Sequence, residues 1–217
     1  MSDLLWHERD LWGKGHKLVA GVDEAGRGAL AGPLLAAAVI LPEEFDLTGV
    51  RDSKAFKKTQ KRETPYVRIM AGARAVSLGW VSPRVIDEEA DAGRYDDCHK
   101  DLLRRVVEAL HPQPDFVLLD YYLPADLSVE SLAIPDGEKV SASIAAASIV
   151  AKVTRDRMMT DLDQCFPQWG FAANKGYGGN RLEHEAAITE YGASSIHRLS
   201  SRGVRRALRR KSPLDQN

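Results

Sequence analysis

Cysteine is scarce in this chain: of 217 residues only Cys98 and Cys165 are cysteine. They have neither the paired spacing of a zinc site nor the density of a disulfide framework. Such usage suits a reducing compartment, so a cytoplasmic location is expected. An excess of either charge is also lacking. Thirty Lys and Arg against 31 Asp and Glu give a net charge of −1, so the molecule as a whole is no polycation. No apolar run approaches the roughly 20 residues of a membrane span. The segment 1–12 is polar and mixed in charge, without the apolar stretch of a signal peptide. No membrane association is expected, and no internal repeat is present.

What the chain does have is an apolar content of 44%, ordinary for a globular protein with a substantial core. Its length predicts one domain with small appendages. These are an N-terminal extension over 1–16, a main domain over 17–200, and a basic C-terminal helix and tail over 201–217. Charge is uneven along the chain. Arg198, Arg202, Arg205, Arg206, Arg209, Arg210 and Lys211 fall together with no acid between them. That run is either a nucleic-acid footprint or a solvated helix end.

Hydrophobic patterning predicts buried strands over 17–24 and 34–41, a third strand over 73–80 and a short one over 115–120. A lysine-rich stretch from Asp52 to Glu63 leads into a helix ending near Met70. Ser82 and Pro83 read as the N-cap and first residue of another helix. Leu102, Leu103, Val106, Val107 and Leu110 recur at helical spacing within 95–110. A long helix is expected over 141–161, a glycine loop over 174–180, and final helices over 182–191 and 203–210. Strands with interleaved and later helices give an α/β domain with a helical C-terminal portion.

The most informative stretch is Asp23-Glu24-Ala25-Gly26-Arg27-Gly28. Two adjacent carboxylates sit where a buried strand gives way to a glycine-rich turn. An ionised carboxylate is costly to bury without compensation. A divalent cation compensates it simply, and acidic ligands without His or Cys favour Mg²⁺ or Mn²⁺ over Zn²⁺. Asp120 ends a second apolar strand. If the two strands are neighbours, their carboxylates meet at one sheet edge, where ligands of α/β proteins bind. A strand-end Asp taken alone is more often a turn residue. Successive strand side chains point opposite ways, so a break or bulge at the end of the first strand is expected to let both Asp23 and Glu24 reach one metal site.

The block from Val19 to Gly28, continued by Leu30-Ala31-Gly32-Pro33, resembles the signature of bacterial ribonuclease HII, a type 2 ribonuclease H. The resemblance extends through Asp52-Ser53-Lys54, Val117 to Asp120, Ser143 to Asp156, Asn174 to Gly178, and Ile196 to Ser200, in family order. It implies a ribonuclease H-like fold: a mixed five-stranded sheet flanked by helices, with a helical C-terminal part. It implies hydrolysis of the RNA strand of RNA–DNA hybrids and incision 5′ to single ribonucleotides embedded in duplex DNA. Such an enzyme leaves 3′-hydroxyl and 5′-phosphate ends and serves ribonucleotide excision repair and primer removal.

Of the family's four metal-binding, catalytic carboxylates, three map to Asp23, Glu24 and Asp120. The fourth maps to Glu138, where an Asp is usual, with Asp136 as a rival. The two-metal template follows, with Mg²⁺ or Mn²⁺ and with a second ion that fills with substrate. The resemblance also assigns substrate contacts. Gly26, Arg27 and Gly28 surround the ribose 2′-hydroxyl, and Tyr177 stacks at the RNA-to-DNA junction. Lys54, Lys175 and Arg198 are candidate phosphate contacts, with a plain solvated charge as the alternative for each. Departures from the family pattern are Tyr121-Tyr122 where Gly commonly follows the third Asp, the polar helix start Tyr95 to Lys100, and Gly178 to Arg181. Ribonuclease HIII is disfavoured, since its additional N-terminal domain finds no room before Asp23. The competing readings are another nuclease of this fold and a binding module without catalysis. A monomer is expected.

Overall fold

The computed structural model describes residues 3–50, 60–124, 126–178 and 182–210. The chain forms two compact units: Met1–Ala25, Leu35–Trp80 and His99–Thr154 make the first, and Gly26–Leu34, Val81–Cys98 and Arg155–Asn217 the second.

The first unit holds the sheet. Strands β1 (Val19–Ala25), β2 (Leu34–Ile40), β3 (Ala75–Val81), β4 (Phe116–Asp120) and β5 (Ser131–Ile134) lie in the order β3-β2-β1-β4-β5. β1 runs antiparallel to β2 and parallel to β4, and β4 parallel to β5, so the sheet is mixed. Every residue of β2 is buried, as is every residue of β1 except Glu24. Covering on both faces explains why these strands read as continuous apolar runs rather than alternating ones.

Helices cover the sheet at residues that keep their side chains small. The first part of α5 (Ala142–Cys165) lies directly on β1. A Cβ on Gly21 would stand 2.0 Å from the Ser143 carbonyl carbon, so only glycine admits the helix there. On β3, a Cβ at Gly79 would meet the Val106 side chain of α4 (Tyr95–Glu108) at 2.9 Å. The hydroxyl of Ser77 donates to the Val106 carbonyl. Helix α2 (Gln60–Gly72) completes the regular elements anticipated for this unit.

Two elements here lack a clear sequence signal. Helix α1 (Trp6–Gly13) has an apolar face too narrow to announce itself, and its place depends on a distant partner. Its Leu11 joins Val19, Phe116, Leu118, Ile134 and Ile144 in one cluster. Its fully buried Glu8 accepts from Ser141 Oγ at 2.6 Å and from the Ser143 N–H at 2.9 Å. A carboxylate at those free amides of the first turn of α5 caps the helix and complements its dipole. β5 is a four-residue strand with one buried position, too short to show a period.

In the second unit α3 (Pro83–Asp91) starts as its sequence predicts: Ser82 Oγ accepts from the Val85 N–H at 3.3 Å, with Pro83 in the first turn. The remaining helices are the later part of α5, the short α6 (Phe171–Asn174), α7 (Leu182–Tyr191) and α8 (Arg202–Arg210). Leu30, Ile188, Val204 and Ala207 form one core cluster, and Ala31, Met159 and Phe171 another. Within this unit the described part of the basic run, 198–210, is partly neutralised. Arg205 pairs with Asp91 at 3.2 Å and Arg206 with Glu185 at 2.6 Å. Among the described residues no helix is long and apolar enough to cross a membrane.

Candidate active site

The parallel pairing of β1 with β4 aligns Val22 with Leu119, one residue before Asp23 and Asp120 respectively. Asp23 and Asp120 therefore lie at the same edge, just past the last paired residues of the two strands. From β4 the parallel neighbour β5 leads to a 3₁₀ turn over Gly137–Lys139. Gly137 N–H donates to Asp120 Oδ1 at 2.8 Å, which ties that turn to the end of β4. A Cβ at Gly137 would stand 2.6 Å from the end of the Ile144 side chain, which would have to shift to admit it. The turn delivers Glu138, which is fully buried.

Asp23, Asp120 and Glu138 consequently bring one carboxylate oxygen each to within 4.8 Å of one another. Asp136, the rival for the fourth position, instead pairs with Lys139 at 2.9 Å and is 69% exposed. Burial pushes the Asp23 carboxyl well above its ordinary range, and the charges of Glu24, Asp120 and Glu138 push the same way against a hydrogen bond from Ser148. Such crowding of buried like charges is what a divalent cation relieves. An all-oxygen donor set suits Mg²⁺ or Mn²⁺.

Glu24 does not join these three. The expected break in β1 is absent: the ladder with β2 is unbroken from Ala20↔Ile40 to Ala25↔Leu35. Glu24 is set apart from them, at the partly buried position next to Asp23, and its charge still acts on the Asp23 carboxyl. There its Oε2 lies 3.4 Å from Nε2 of the fully buried His99 on α4. Tyr122 packs its edge on that imidazole with ring centroids 4.9 Å apart.

The glycine turn after β1 belongs to the second unit and is braced by two buried arginines. Gly26 has φ of 95°, and a Cβ there would stand 2.1 Å from Arg155 Nε. Glycine is thus required at 26 by packing and by backbone conformation alike. Gly28 differs, since nothing lies within 4 Å of where its Cβ would stand. Arg155 spans three carbonyls, donating to Pro33 from Nε at 2.9 Å, to Lys175 from Nη1 at 2.8 Å and to Ala31 from Nη2 at 2.9 Å. Its guanidinium carbon lies 4.9 Å above the Tyr177 ring. The Arg27 carbonyl accepts from Arg198 Nη1 at 3.2 Å and from Tyr95 Oη at 3.3 Å.

A profile of the ribonuclease HII family matches residues 20–202. Ribonuclease HII of Geobacter sulfurreducens is 46% identical over 197 residues, covering 90% of this chain and 87% of that protein. Ribonuclease HII of Geobacillus kaustophilus is 43% identical over 214 residues, covering 98% and 79%. In three dimensions the chain is similar to ribonuclease HII in the PCNA:RNase HII complex from Archaeoglobus fulgidus. The TM-score is 0.75 at 26% identity, with 92% of this chain and 100% of that one covered. The chain belongs to the ribonuclease HII family. It is accordingly an endoribonuclease, a hydrolase of phosphodiester bonds.

Within this ribonuclease the other residues singled out from sequence occupy varied places. Lys54 lies outside the described residues. Lys175 Nζ donates to Thr160 Oγ1 at 2.6 Å. Arg198 is 2% exposed and also donates from Nε to the Gly32 carbonyl at 2.9 Å, so it is a brace of the glycine turn rather than a solvated charge. Its burial lowers its pKa to about 10. Arg155 and His99 carried no signal as site residues, because each is defined by partners remote in sequence.

A further pair missed in the sequence stands behind the tyrosine loop. His184 Nδ1 is 3.0 Å from the Tyr177 carbonyl, His184 Nε2 is 3.1 Å from His197 Nε2, and His197 Nδ1 accepts from the Ser194 N–H at 2.9 Å. The carbonyl can only accept and the amide can only donate. His197 therefore carries its proton on Nε2 and His184 on Nδ1, both neutral. Burial and the neighbouring His184 lower the His197 pKa from 6.5 to about 4. Its contribution to stability is thus complete above about pH 6.5, where the unfolded chain is also neutral. It is lost as pH falls towards 4, because only the unfolded chain then takes up the proton. The loss amounts to about 3 kcal/mol. Thermal melting between pH 7 and 4.5 should show this slope, flattened in His197→Asn. An equal slope in that variant would assign it to other groups.

Proposed function

We propose that this ribonuclease hydrolyses the RNA strand of RNA–DNA hybrids and incises 5′ to single ribonucleotides in duplex DNA, leaving 3′-hydroxyl and 5′-phosphate ends. Ribonucleotide excision repair and primer removal are the processes such a reaction serves. The observation that carries the reading is the convergence within 4.8 Å of Asp23 and Asp120, from the parallel strands β1 and β4, with Glu138 from the turn after β5.

Carboxylates alone would repel an anionic phosphodiester. Asp23, Asp120 and Glu138 are proposed to hold a divalent ion, and Glu24 to complete a second position together with the substrate phosphate. Bound Mg²⁺ or Mn²⁺ supplies an activated water and stabilises the leaving 3′-oxygen. Ser148 and the Gly137 N–H orient Asp23 and Asp120. His99, in contact with Glu24, restricts where that carboxylate can point. Glu138 reaches the cluster from a turn rather than from a strand, which suits a side chain one methylene longer than Asp.

Ribose recognition is assigned to Gly26, Arg27, Gly28 and Tyr177. With the Arg27 carbonyl engaged by Arg198 and Tyr95, the open position is Gly28, where the absence of a side chain lets a sugar approach the backbone. Lys54, Lys175 and Arg198 were candidates for phosphate. Lys54 and Lys175 keep that role in this proposal, while Arg198 positions the turn.

The test is a DNA duplex with one ribonucleotide, an RNA–DNA hybrid and an all-DNA control, each with Mg²⁺ and with Mn²⁺, using the wild type and Asp120→Asn. A metal-dependent nick 5′ to the ribonucleotide, absent from the control and the variant, is expected. Binding without any nick under either metal would replace this reading with that of a binding module.

A further inference from the structure

Directly after Asp120 the backbone doubles back. Tyr121 has φ of 65°, the left-handed region that a side chain of this size enters only against steric resistance. The Tyr122 N–H donates to the Asp120 carbonyl at 2.8 Å, closing a three-residue turn around Tyr121. A positive φ at the centre of such a turn is its rare and strained form. The Tyr121 N–H in turn donates to the Ile134 carbonyl at 3.1 Å, so the turn is anchored to the end of β5.

Burial does not compensate the strain. Tyr121 is 64% exposed, more than any other large hydrophobic side chain among the described residues. Nor does the ring stand alone. Its edge meets Tyr122 with centroids 4.9 Å apart and planes at 61°, Tyr122 meets His99 at 4.9 Å, and His99 lies 3.4 Å from the Glu24 carboxylate. Three rings thus run from the Glu24 carboxylate to the surface, and the outermost is the exposed Tyr121, one residue from Asp120.

Glycine would adopt this conformation without strain, and folding offers no gain for an exposed phenol here. Strained non-glycine positions concentrate where a ligand is engaged, and exposed aromatic faces bind nucleobases by stacking whatever the base. We propose that Tyr121 is a substrate-stacking residue, its outer face receiving a nucleobase of the hybrid beside the bond to be hydrolysed. Tyr122 and His99 act as positioning residues for the ring. The inference rests on the ribonuclease reading above.

The test compares Tyr121→Phe, Tyr121→Ala and Tyr121→Gly with the wild type. Three quantities are read: steady-state cleavage of an RNA–DNA hybrid, the Kd for the same hybrid by fluorescence anisotropy in an Asp23→Asn background, and the melting temperature. Stacking predicts that Phe stays within two-fold of wild type in KM and Kd. Ala and Gly raise both about ten-fold with kcat little changed, and Gly also melts higher because its backbone strain is gone. A Gly variant that melts higher with KM and Kd unmoved would overturn the proposal, since the ring would then touch no substrate. A Phe variant as impaired as Ala would also overturn it, assigning the effect to the hydroxyl. If the wild type bound the hybrid without cleaving it, the ribonuclease reading would fail, and the anisotropy series would still decide the role of Tyr121.

Discussion

Asp23→Asn is expected to abolish hydrolysis while making the metal-free protein more stable. The two effects have one cause. The Asp23 carboxyl is buried beside Glu24, Asp120 and Glu138, and its pKa is pushed upward by burial first and by those charges next. A group whose folded pKa is raised in this way destabilises the fold at every pH where the unfolded chain carries the charge. The amide is isosteric, keeps a hydrogen-bonding oxygen for Ser148 and removes the charge. The variant is therefore expected to melt above the wild type in EDTA. Turnover should fall by about three orders of magnitude, because an amide is a poor ligand for a hard divalent ion and the cluster loses its central charge. Added Mg²⁺ or Mn²⁺ should raise the melting temperature of the wild type and do so less for the variant. A variant that melts below wild type in EDTA would sink the account of a carboxyl held against its neighbours.

The second large effect concerns Arg155. Its guanidinium satisfies the carbonyls of Ala31, Pro33 and Lys175 from a position with no exposed surface. In Arg155→Met two buried acceptors and one half-buried one lose their donor, and a loss of about 3–5 kcal/mol is expected. Arg155→Lys should recover little, because a single ammonium cannot span three acceptors set for a planar fork. The functional loss should exceed that of an ordinary destabilised variant. The arginine packs directly on Gly26, where a Cβ would stand 2.1 Å from its Nε, and Tyr177 lies under the guanidinium, so both proposed ribose contacts would shift. At a temperature where both proteins are folded, kcat/KM on a single-ribonucleotide duplex should drop about ten- to hundred-fold, mostly through KM. An unchanged KM in a folded variant would show that the turn and loop hold their places without the arginine.

Much of this was legible in the residues. Continuous apolar runs marked β1, β2 and β4, because strands covered on both faces need no polar alternation. Ser82 and Pro83 marked the start of α3, since capping is local chemistry. Asp23, Glu24 and Asp120 stood out because charge at the end of a buried strand needs a reason. By itself the sequence determined the α/β class, the family and a carboxylate set for a divalent ion.

Tertiary structure decided what pairwise geometry alone can decide. It set Glu138 rather than Asp136 beside Asp23, because Asp120 Oδ1 anchors the Gly137 N–H and turns the next side chain inward. It set Glu24 against His99 while its charge still acts on Asp23, with the ladder unbroken where a bulge was expected. It made Arg155 and Arg198 braces of the glycine turn, and it buried Glu8 as the cap of α5. In each case the deciding partner lies from about a dozen to more than a hundred residues away in the chain. Periodicity and capping act within a few residues. A buried charge is defined by whatever the fold brings to it.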